Sequence, residues 1–323
     1  MARTVSVLTV TYGDREKYVS KLVSAIDKMA NVRDVIIVWN GNFPKHKQQF
    51  DAENIHNIYF SSNMGSARAF SEGLKFFADK LTSDYVWMLD DDNLPDDSAL
   101  PILLKNYEQS PDDLVFTSFR KDRVELKKRG YQRYQPNSFF EFSLSKKLRL
   151  KQKGSKSVSS NSSLIQCETV PYGGLLLPRT VLKKIGYPNK HLYLYSDDNE
   201  FTYRMTKLGL HMLTDTRSLI TDMEQSWYRK NPVPMFKTVF TTTKLFNACY
   251  TIRNRVYFEK NNIVTNSFFY LVNIVAYLIY VFVFYMPKNK SGLKRMRMIV
   301  RLILEGWVGK LGQIPDERIQ GWK

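Results

Sequence analysis

The stretch TVSVLTVTYGDR, residues 4–15, is apolar or β-branched at almost every position up to Tyr12 and then turns polar at Gly13-Asp14-Arg15. A strand with one wet face would alternate, so a run this continuous fits a strand covered on both faces. A helical stretch from about Glu16 to Met29 follows, then a second apolar run, DVIIVW at 34–39, stopped by Asn40-Gly41-Asn42. Strand, helix and strand in quick succession make a βαβ unit and predict a parallel sheet.

Outward from this unit, the pattern predicts a third strand at Ile55–Phe60. Asn63 and Gly65 then form a turn, and Ala67–Leu81 reads as an amphipathic helix. A fourth strand, Tyr85–Leu89, ends abruptly in Asp90-Asp91-Asp92. Gln166–Pro178 is strand-like but interrupted by Gly173-Gly174; helices follow at Arg179–Ile185 and from about Asp197, and a last strand lies near Leu219–Met223. Residues 120–163 are basic and then serine-rich, with little periodicity beyond Ser138–Leu144, which predicts either a mobile loop over the site or an inert surface insertion. The expected fold class is α/β with a mainly parallel central sheet, as a catalytic domain over 1–232, followed by a helical region over 233–323.

With 323 residues, 43% apolar and 14% aromatic, the chain can bury a sizeable core, which excludes wholesale disorder. Two cysteines, Cys167 and Cys249, supply neither a disulfide framework nor a four-ligand zinc site. The N-terminal apolar run is too short for a signal peptide, so a reducing, intracellular setting is expected. The net charge of +17 is uneven. Residues 229–323 carry 16 Lys and Arg against 4 Asp and Glu, residues 120–156 carry 13 against 3, and the rest of the chain is therefore mildly acidic. An acidic body with two basic attachments differs from a uniformly basic nucleic-acid binder. Anionic lipid headgroups or a phosphate-bearing substrate are the expected partners, and nucleic acid is not.

Residues 261–286 carry no charge, and a helix of about 20 apolar residues is long enough for a bilayer core of ~30 Å. Both flanks are positive, however: Arg253, Arg255 and Lys260 precede the stretch, and Lys288, Lys290, Lys294, Arg295, Arg297 and Arg301 follow it. One crossing would put a basic flank on the wrong side. A re-entrant or in-plane helix, followed by the amphipathic segment Met296–Val308, keeps both flanks cytoplasmic, with 263–308 as the membrane-associating segment. A buried helix of a helical bundle is the alternative.

Three adjacent carboxylates after a buried strand repel one another unless something positive binds there. Asp90 and Asp92, two apart in an extended segment, point the same way and can share one ion. Hard cations such as Mg²⁺ or Mn²⁺ prefer carboxylate oxygen, and Mg²⁺ commonly bridges to substrate phosphates. Asp222, at the end of a strand beside Glu224, could complete the metal sphere or be a surface carboxylate. A second cluster, Asp197-Asp198-Asn199-Glu200, sits at an expected helix start, where the dipole already favours carboxylates. Its sharper reading makes Asp198 a general base toward a sugar hydroxyl, with Asp197 and Glu200 positioning the acceptor or the helix. No HExxH, GxSxG, P-loop or GxGxxG pattern competes, and the four histidines read as structural.

Taken together, TVTYGDR, VIIVWNGN, SSNMGSARAFSEG, YVWMLDDDNLP, PYGGLLLP and YLYSDDNEFTYRM resemble the inverting glycosyltransferases of family 2, with their nucleotide-sugar-binding GT-A fold. The resemblance covers roughly 4–310. The tryptophan before the aspartates and the segment Tyr250–Arg255 (YTIRNR) look most like galactofuranosyl- and rhamnosyltransferases of polysaccharide assembly. The resemblance implies that Thr11, Tyr12, Asn40 and Asn63 belong to the donor site, with Thr11, Tyr12 and Asn40 lining the base. Asp90 and Asp92 would hold the metal (Mn²⁺ or Mg²⁺) and diphosphate, and Asp91 the donor sugar or ribose. Gly173 and Gly174 would allow close backbone approach, and Asp198 would be the catalytic base. Asp222 stands where relatives usually have a metal-binding histidine, and Asn40 where an acidic residue is common.

The expected reaction is a single inverting displacement from UDP-galactofuranose, or alternatively dTDP-rhamnose. The expected acceptor is a polyprenyl-diphosphate-linked saccharide at the cytoplasmic face of the inner membrane. Two rivals belong to other classes. A sugar-nucleotide nucleotidyltransferase would want a glycine-rich basic loop after the first strand, which TYGDREKY lacks. A non-catalytic adaptor would bind anionic vesicles without any metal-linked affinity for a nucleotide.

Overall fold

The computed structural model describes residues 3–144, 163–224, 235–288 and 290–322. Contacts divide the chain into two compact units, and not at one boundary. The first takes Met1–Arg133, Ser157–Lys190 and Asp198–Glu224; the second takes Tyr134–Lys156, His191–Asp197 and Gln225–Lys323.

The first unit is built on a ten-stranded mixed sheet, mostly parallel. Its strands are β1 (Val5–Thr11), β2 (Val32–Asn40), β3 (Ile55–Phe60), β4 (Tyr85–Asp90), β5 (Asn93–Pro95), β6 (Leu114–Arg120), β7 (Tyr131–Gln132), β8 (Leu164–Cys167), β9 (Leu175–Pro178) and β10 (His211–Asp222). The order is β3-β2-β1-β4-β9-β6-β10-β8-β7, with β5 pairing β10. Strands β3, β2, β1, β4, β6 and β10 run one way, and β9 lies antiparallel between β4 and β6. The continuous apolar runs are explained by burial on both faces. Leu8, Ile36, Val38, Val86 and Met88 join one core cluster, and their neighbours Val7, Val35, Ile37, Trp39, Trp87 and Leu89 join another. Helix α1 (Glu16–Ile26) buries Val19, Leu22 and Ile26, a stripe at helical spacing. Helix α2 (Ser66–Lys80) brings Gly73 so close to Leu8 and Val38 that an added Cβ would overlap the Leu8 side chain.

The last body strand is 12 residues long, not the short run near 219–223 that the pattern predicts. Its register against β6 shifts between Asp215 and Leu219, where Asp215 turns inward to Arg217 and Asn106. This polar irregularity hides the strand's first half from a periodicity reading. Residues 121–132 are also more ordered than expected, with a helix at Val124–Arg129 ended by left-handed Gly130 and a strand pairing β8. Most of the serine-rich part of the expected mobile loop, 145–162, lies outside the described residues.

The second unit is helical. The helix Leu245–Asn262 is buried along much of its length, and the YTIRNR residues are its struts. The Tyr250 hydroxyl accepts from Ile314 N at 2.7 Å, and Arg253 donates to Gly312 O at 2.6 Å. Asn254 Nδ2 lies 2.6–3.1 Å from the carbonyls of Leu192, Leu194 and Tyr195. The helix Ser267–Phe284 belongs to the stretch Ser267–Lys288, which is long and apolar enough to cross a membrane. One face of it is buried through Tyr270, Asn273, Ile274, Tyr277 and Val281. Polar bonds fix that face: Tyr270 donates to Glu259 at 2.9 Å, and Asn273 donates to Asn137 O at 2.7 Å and accepts from Leu144 N at 2.8 Å. The opposite stripe, Phe268, Leu271, Val275, Ile279 and Phe282, is exposed.

Overpacking a close core contact costs roughly 1–3 kcal/mol. Gly73→Val should lower the midpoint of thermal unfolding accordingly, and an unchanged midpoint would mean that α2 does not pack on β1 as described.

Candidate active site

The C-terminal ends of parallel strands are where open α/β sheets bind ligands. Here those ends carry Thr11 (β1), Asn40 (β2), Asp90 (β4), Arg120 (β6) and Asp222 (β10). The register that buries the apolar residues therefore places the polar ones along a single edge.

The acidic cluster gathers there. The side chains of Asp91, Asp92 and Asp222 are largely buried, and that of Asp90 is about one-third exposed. Asn93, at the start of β5, is the hub: its Oδ1 accepts from Asp90 N at 3.0 Å, while its Nδ2 donates to Asp222 at 2.9 Å. Arg120 pairs with Asp90 and lies 3.4 Å from Asp222 Oδ1. Arg15 is bidentate on Asp91 at 2.8 Å to each oxygen, reaches Asp92 at 3.2 Å and pairs with Glu224. Burial pushes the Asp92 carboxyl up to about 7, and the charges of Asp90 and Asp91 add to it. Burial also raises Asp91, opposed by Arg15, and raises Asp222, opposed by Arg120.

Gly173 lies against this cluster, where a Cβ would overlap Asn93, Arg120 and Asp90. Gly174 has a φ of +104°, and its N donates to Met88 O at 2.8 Å. The glycine pair therefore permits the approach of β9 to the ends of β4 and β6. Asp198, in the helix Asp197–Lys207, is half-buried, with Oδ1 accepting from Asn199 N at 2.7 Å. Burial pushes its carboxyl up to about 6; Asp90 raises it further, against Arg120 and Arg123. Asp198 thus lies within the electrostatic reach of the acidic cluster.

Not every expected residue joins the cluster. Asn40 is buried and braces the loop after β3, donating to Asn63 Oδ1 at 3.1 Å and accepting from Met64 N at 2.7 Å. Thr11 is buried, and Tyr12 is exposed beneath the Arg15 guanidinium, 5.4 Å from its ring centre. Both Glu200 oxygens are engaged by Arg204, at 2.5 and 3.0 Å; Arg204 also holds the carbonyls of Ile185 and Tyr187, so Glu200 anchors its helix. Asp197 is buried and falls in the second unit. Three functional-looking residues escaped the sequence reading, namely Arg15, Asn93 and Arg120. Their one visible signal is position, since each adjoins the polar end of an apolar run.

As for a metal, among the described residues no three His, Cys, Asp or Glu side chains converge as a closed ion cage. Asp90, Asp92 and Asp222 are separated by Arg120 and Asn93 rather than gathered around one point. The donor set nevertheless fits a hard divalent ion. It is all oxygen, five carboxylates face two arginines, and Asp92 is raised by burial and then by the charges of Asp90 and Asp91. Mg²⁺ sites that use one or two carboxylates and complete the shell with water and phosphate have this character.

The sequence model "Glycosyl transferase family 2" matches residues 6–166. A galactofuranosyltransferase, GlfT1 of Mycolicibacterium smegmatis, is 24% identical over 220 residues, 64% of this chain and 66% of that protein. Among solved structures, GalNAc-T7 with UDP, GalNAc and Mn²⁺ is similar with a TM-score of 0.53 at 13% identity, covering 80% of this chain and 48% of that one. The mannosyltransferase PcManGT of Pyrobaculum calidifontis, in complex with GDP-Man and Mn²⁺, has a TM-score of 0.51 at 11% identity, covering 96% and 88%. The chain thus spans just under two thirds of the curated relative and about half of GalNAc-T7. The likeness to the two structures is one of fold, the GT-A fold of glycosyltransferases.

Proposed function

Starting from a chain whose residues 6–166 belong to glycosyltransferase family 2, we propose that this enzyme transfers galactofuranose from UDP-galactofuranose, with inversion, to a lipid-linked saccharide in bacterial cell-surface polysaccharide synthesis. The observation that carries the reading is that Asp90, Asp92 and Asp222 stand at one edge of the sheet, with Asp198 in the field of Asp90. The 24% identity to a galactofuranosyltransferase supports the choice of sugar.

Asp92, with Asp90 or Asp222, would hold Mn²⁺ or Mg²⁺, whose positive charge would stabilise the leaving nucleoside diphosphate. Asp198 performs the proton transfer. Its carboxylate accepts the acceptor hydroxyl's proton as that oxygen bonds to the anomeric carbon. The bond from that carbon to the diphosphate oxygen breaks, and the pair of electrons leaves with the diphosphate. A carboxyl raised to about 6 is a stronger base than an exposed aspartate and is still ionised at neutral pH. Thr11, Tyr12 and Asn40 are assigned to the nucleoside end of the donor site, Asn63 to the loop beside it and Asp91 to the ribose or sugar. Asp197 shapes the start of the Asp198 helix.

The C-terminal region supports a location at the cytoplasmic membrane face, where a polyprenyl-linked acceptor is presented. The exposed apolar stripe of Ser267–Phe284 and the exposed Leu293, Leu304 and Val308 of the helix Gly292–Val308 stand near exposed Lys288, Lys290, Lys294, Arg297 and Arg301 in sequence. Apolar and cationic groups together suit an anionic interface, while the polar bonds of Tyr270 and Asn273 favour an in-plane helix over a spanning one.

Three outcomes are expected. Asp198→Asn should lower kcat by roughly 10²–10⁴-fold with UDP binding intact. A protonated carboxyl cannot take the hydroxyl's proton, so wild-type kcat/KM should fall as pH drops through about 6. Near-normal turnover in the variant would remove Asp198 from this role. In a flotation assay the protein should travel with phosphatidylglycerol vesicles and far less with phosphatidylcholine ones; equal recovery in the unbound fraction of both would contradict the membrane assignment.

A further inference from the structure

In the residues just before the helix Asp197–Lys207 the backbone takes conformations that L residues avoid. Tyr193, Tyr195 and Ser196 have φ of +66°, +62° and +59°, and Leu194 N closes back on Leu192 O at 2.8 Å in a three-residue turn around Tyr193. Positive φ is uncommon for a residue with a side chain, and it persists only where the surroundings impose it. The imposing group here is Asn254, fully buried in the helix Leu245–Asn262. Its Oδ1 accepts from Arg253 Nε at 3.1 Å, while its Nδ2 faces the carbonyls of Leu192, Leu194 and Tyr195. Two contacts close the clamp: Tyr193 stacks on Tyr250 with ring centres 5.0 Å apart, and Asn247 donates to the Tyr195 hydroxyl at 2.7 Å. All of these residues belong to the second unit. The chain itself then runs from Ser196 through Asp197 into Asp198, the second residue of its helix. Farther along, that helix is tied down separately, by buried Phe201 and Met205 and by the Thr202 hydroxyl donating to Val170 O at 3.2 Å.

We propose that Asn254 is a positioning residue for the general base: it holds the left-handed segment 193–196 in the one shape that aims Asp198 at the acceptor hydroxyl. The inference rests on the glycosyltransferase reading, in which Asp198 takes that hydroxyl's proton. Without the amide, three carbonyls lose their donor, and Tyr193, Tyr195 and Ser196 relax toward negative φ. That redirects the first turn of the helix and leaves its tied-down remainder in place. Asn254 thus acts through Asp198, by setting the fraction of molecules whose base is aimed. Glycine takes positive φ without a Cβ penalty, so Ser196→Gly supplies part of what the amide supplies.

The test follows sugar transfer from UDP-galactofuranose with Mn²⁺ to a synthetic prenyl-diphosphate-linked saccharide, together with UDP binding, in the intact protein. Asn254→Ala should lower kcat by on the order of 10²-fold with UDP affinity unchanged. Adding Ser196→Gly should recover roughly 5–30-fold of that loss, whereas Ser196→Gly alone should leave kcat near the wild-type value. A folded Asn254→Ala with wild-type kcat overturns the inference. So does a loss that the glycine fails to relieve, which is what a merely structural strut would give. Should Asn254→Ala fail to fold by circular dichroism, Tyr195→Phe carries the test. Losing the Asn247 bond should lower kcat roughly 2–12-fold, again relieved by Ser196→Gly, and an unchanged kcat overturns the inference. These failures leave the enzyme reading standing. Near-normal turnover in Asp198→Asn, or no transfer by the wild type from either UDP-galactofuranose or dTDP-rhamnose, removes that reading and the inference with it.

Discussion

Asp90, Asp91 and Asp92 leave a buried strand in succession, and their carboxylates repel one another at short range in a poorly solvated place. The protein holds this charge with Asn93 as a hydrogen-bonding hub and with two arginines brought from the ends of other elements. Much of the site follows from that concentration. The glycines at 173 and 174 leave room beside it, the far strand contributes Asp222, and the raised carboxyl of Asp198 partly reflects the negative field of Asp90. A group that must lose its affinity for water but keep its charge is costly in a resting protein and useful toward a cationic ligand.

The fold was legible where the chemistry is strongly patterned. Residues 5–11, 35–39 and 85–89 are covered on both faces, so their runs lack alternation, and Asn40-Gly41 and the aspartates stop them cleanly. The concentration of acidic residues was legible because three successive carboxylates directly after such a run repel one another in a poorly solvated place. Arg15 and Arg120 were not, because an arginine beyond a strand is ordinary on a surface, and only the sheet order brings residues 15, 91, 120 and 222 together. The first half of β10 was obscured by its own polar bulge at Asp215. Glu200 was expected to position either the acceptor or the helix, and the pairing with Arg204 one turn away ties it to the helix.

In the C-terminal region composition and bonding give different information. Ser267–Phe284 has the length and apolarity of a bilayer span, yet Asn273 and Tyr270 on one face are bound to protein groups. The helix is held to protein groups along that face and leaves the apolar stripe Phe268, Leu271, Val275, Ile279 and Phe282 exposed on the other.

Anomalous diffraction at the manganese edge, from crystals of the intact protein grown with UDP and Mn²⁺, tests the central claim most directly. The account predicts one strong peak in direct contact with a carboxylate oxygen of Asp92 and with both phosphates of UDP, and with Asp198 opening onto the same cleft. A peak away from the ends of β4 and β10, or UDP bound elsewhere on the chain, would contradict it.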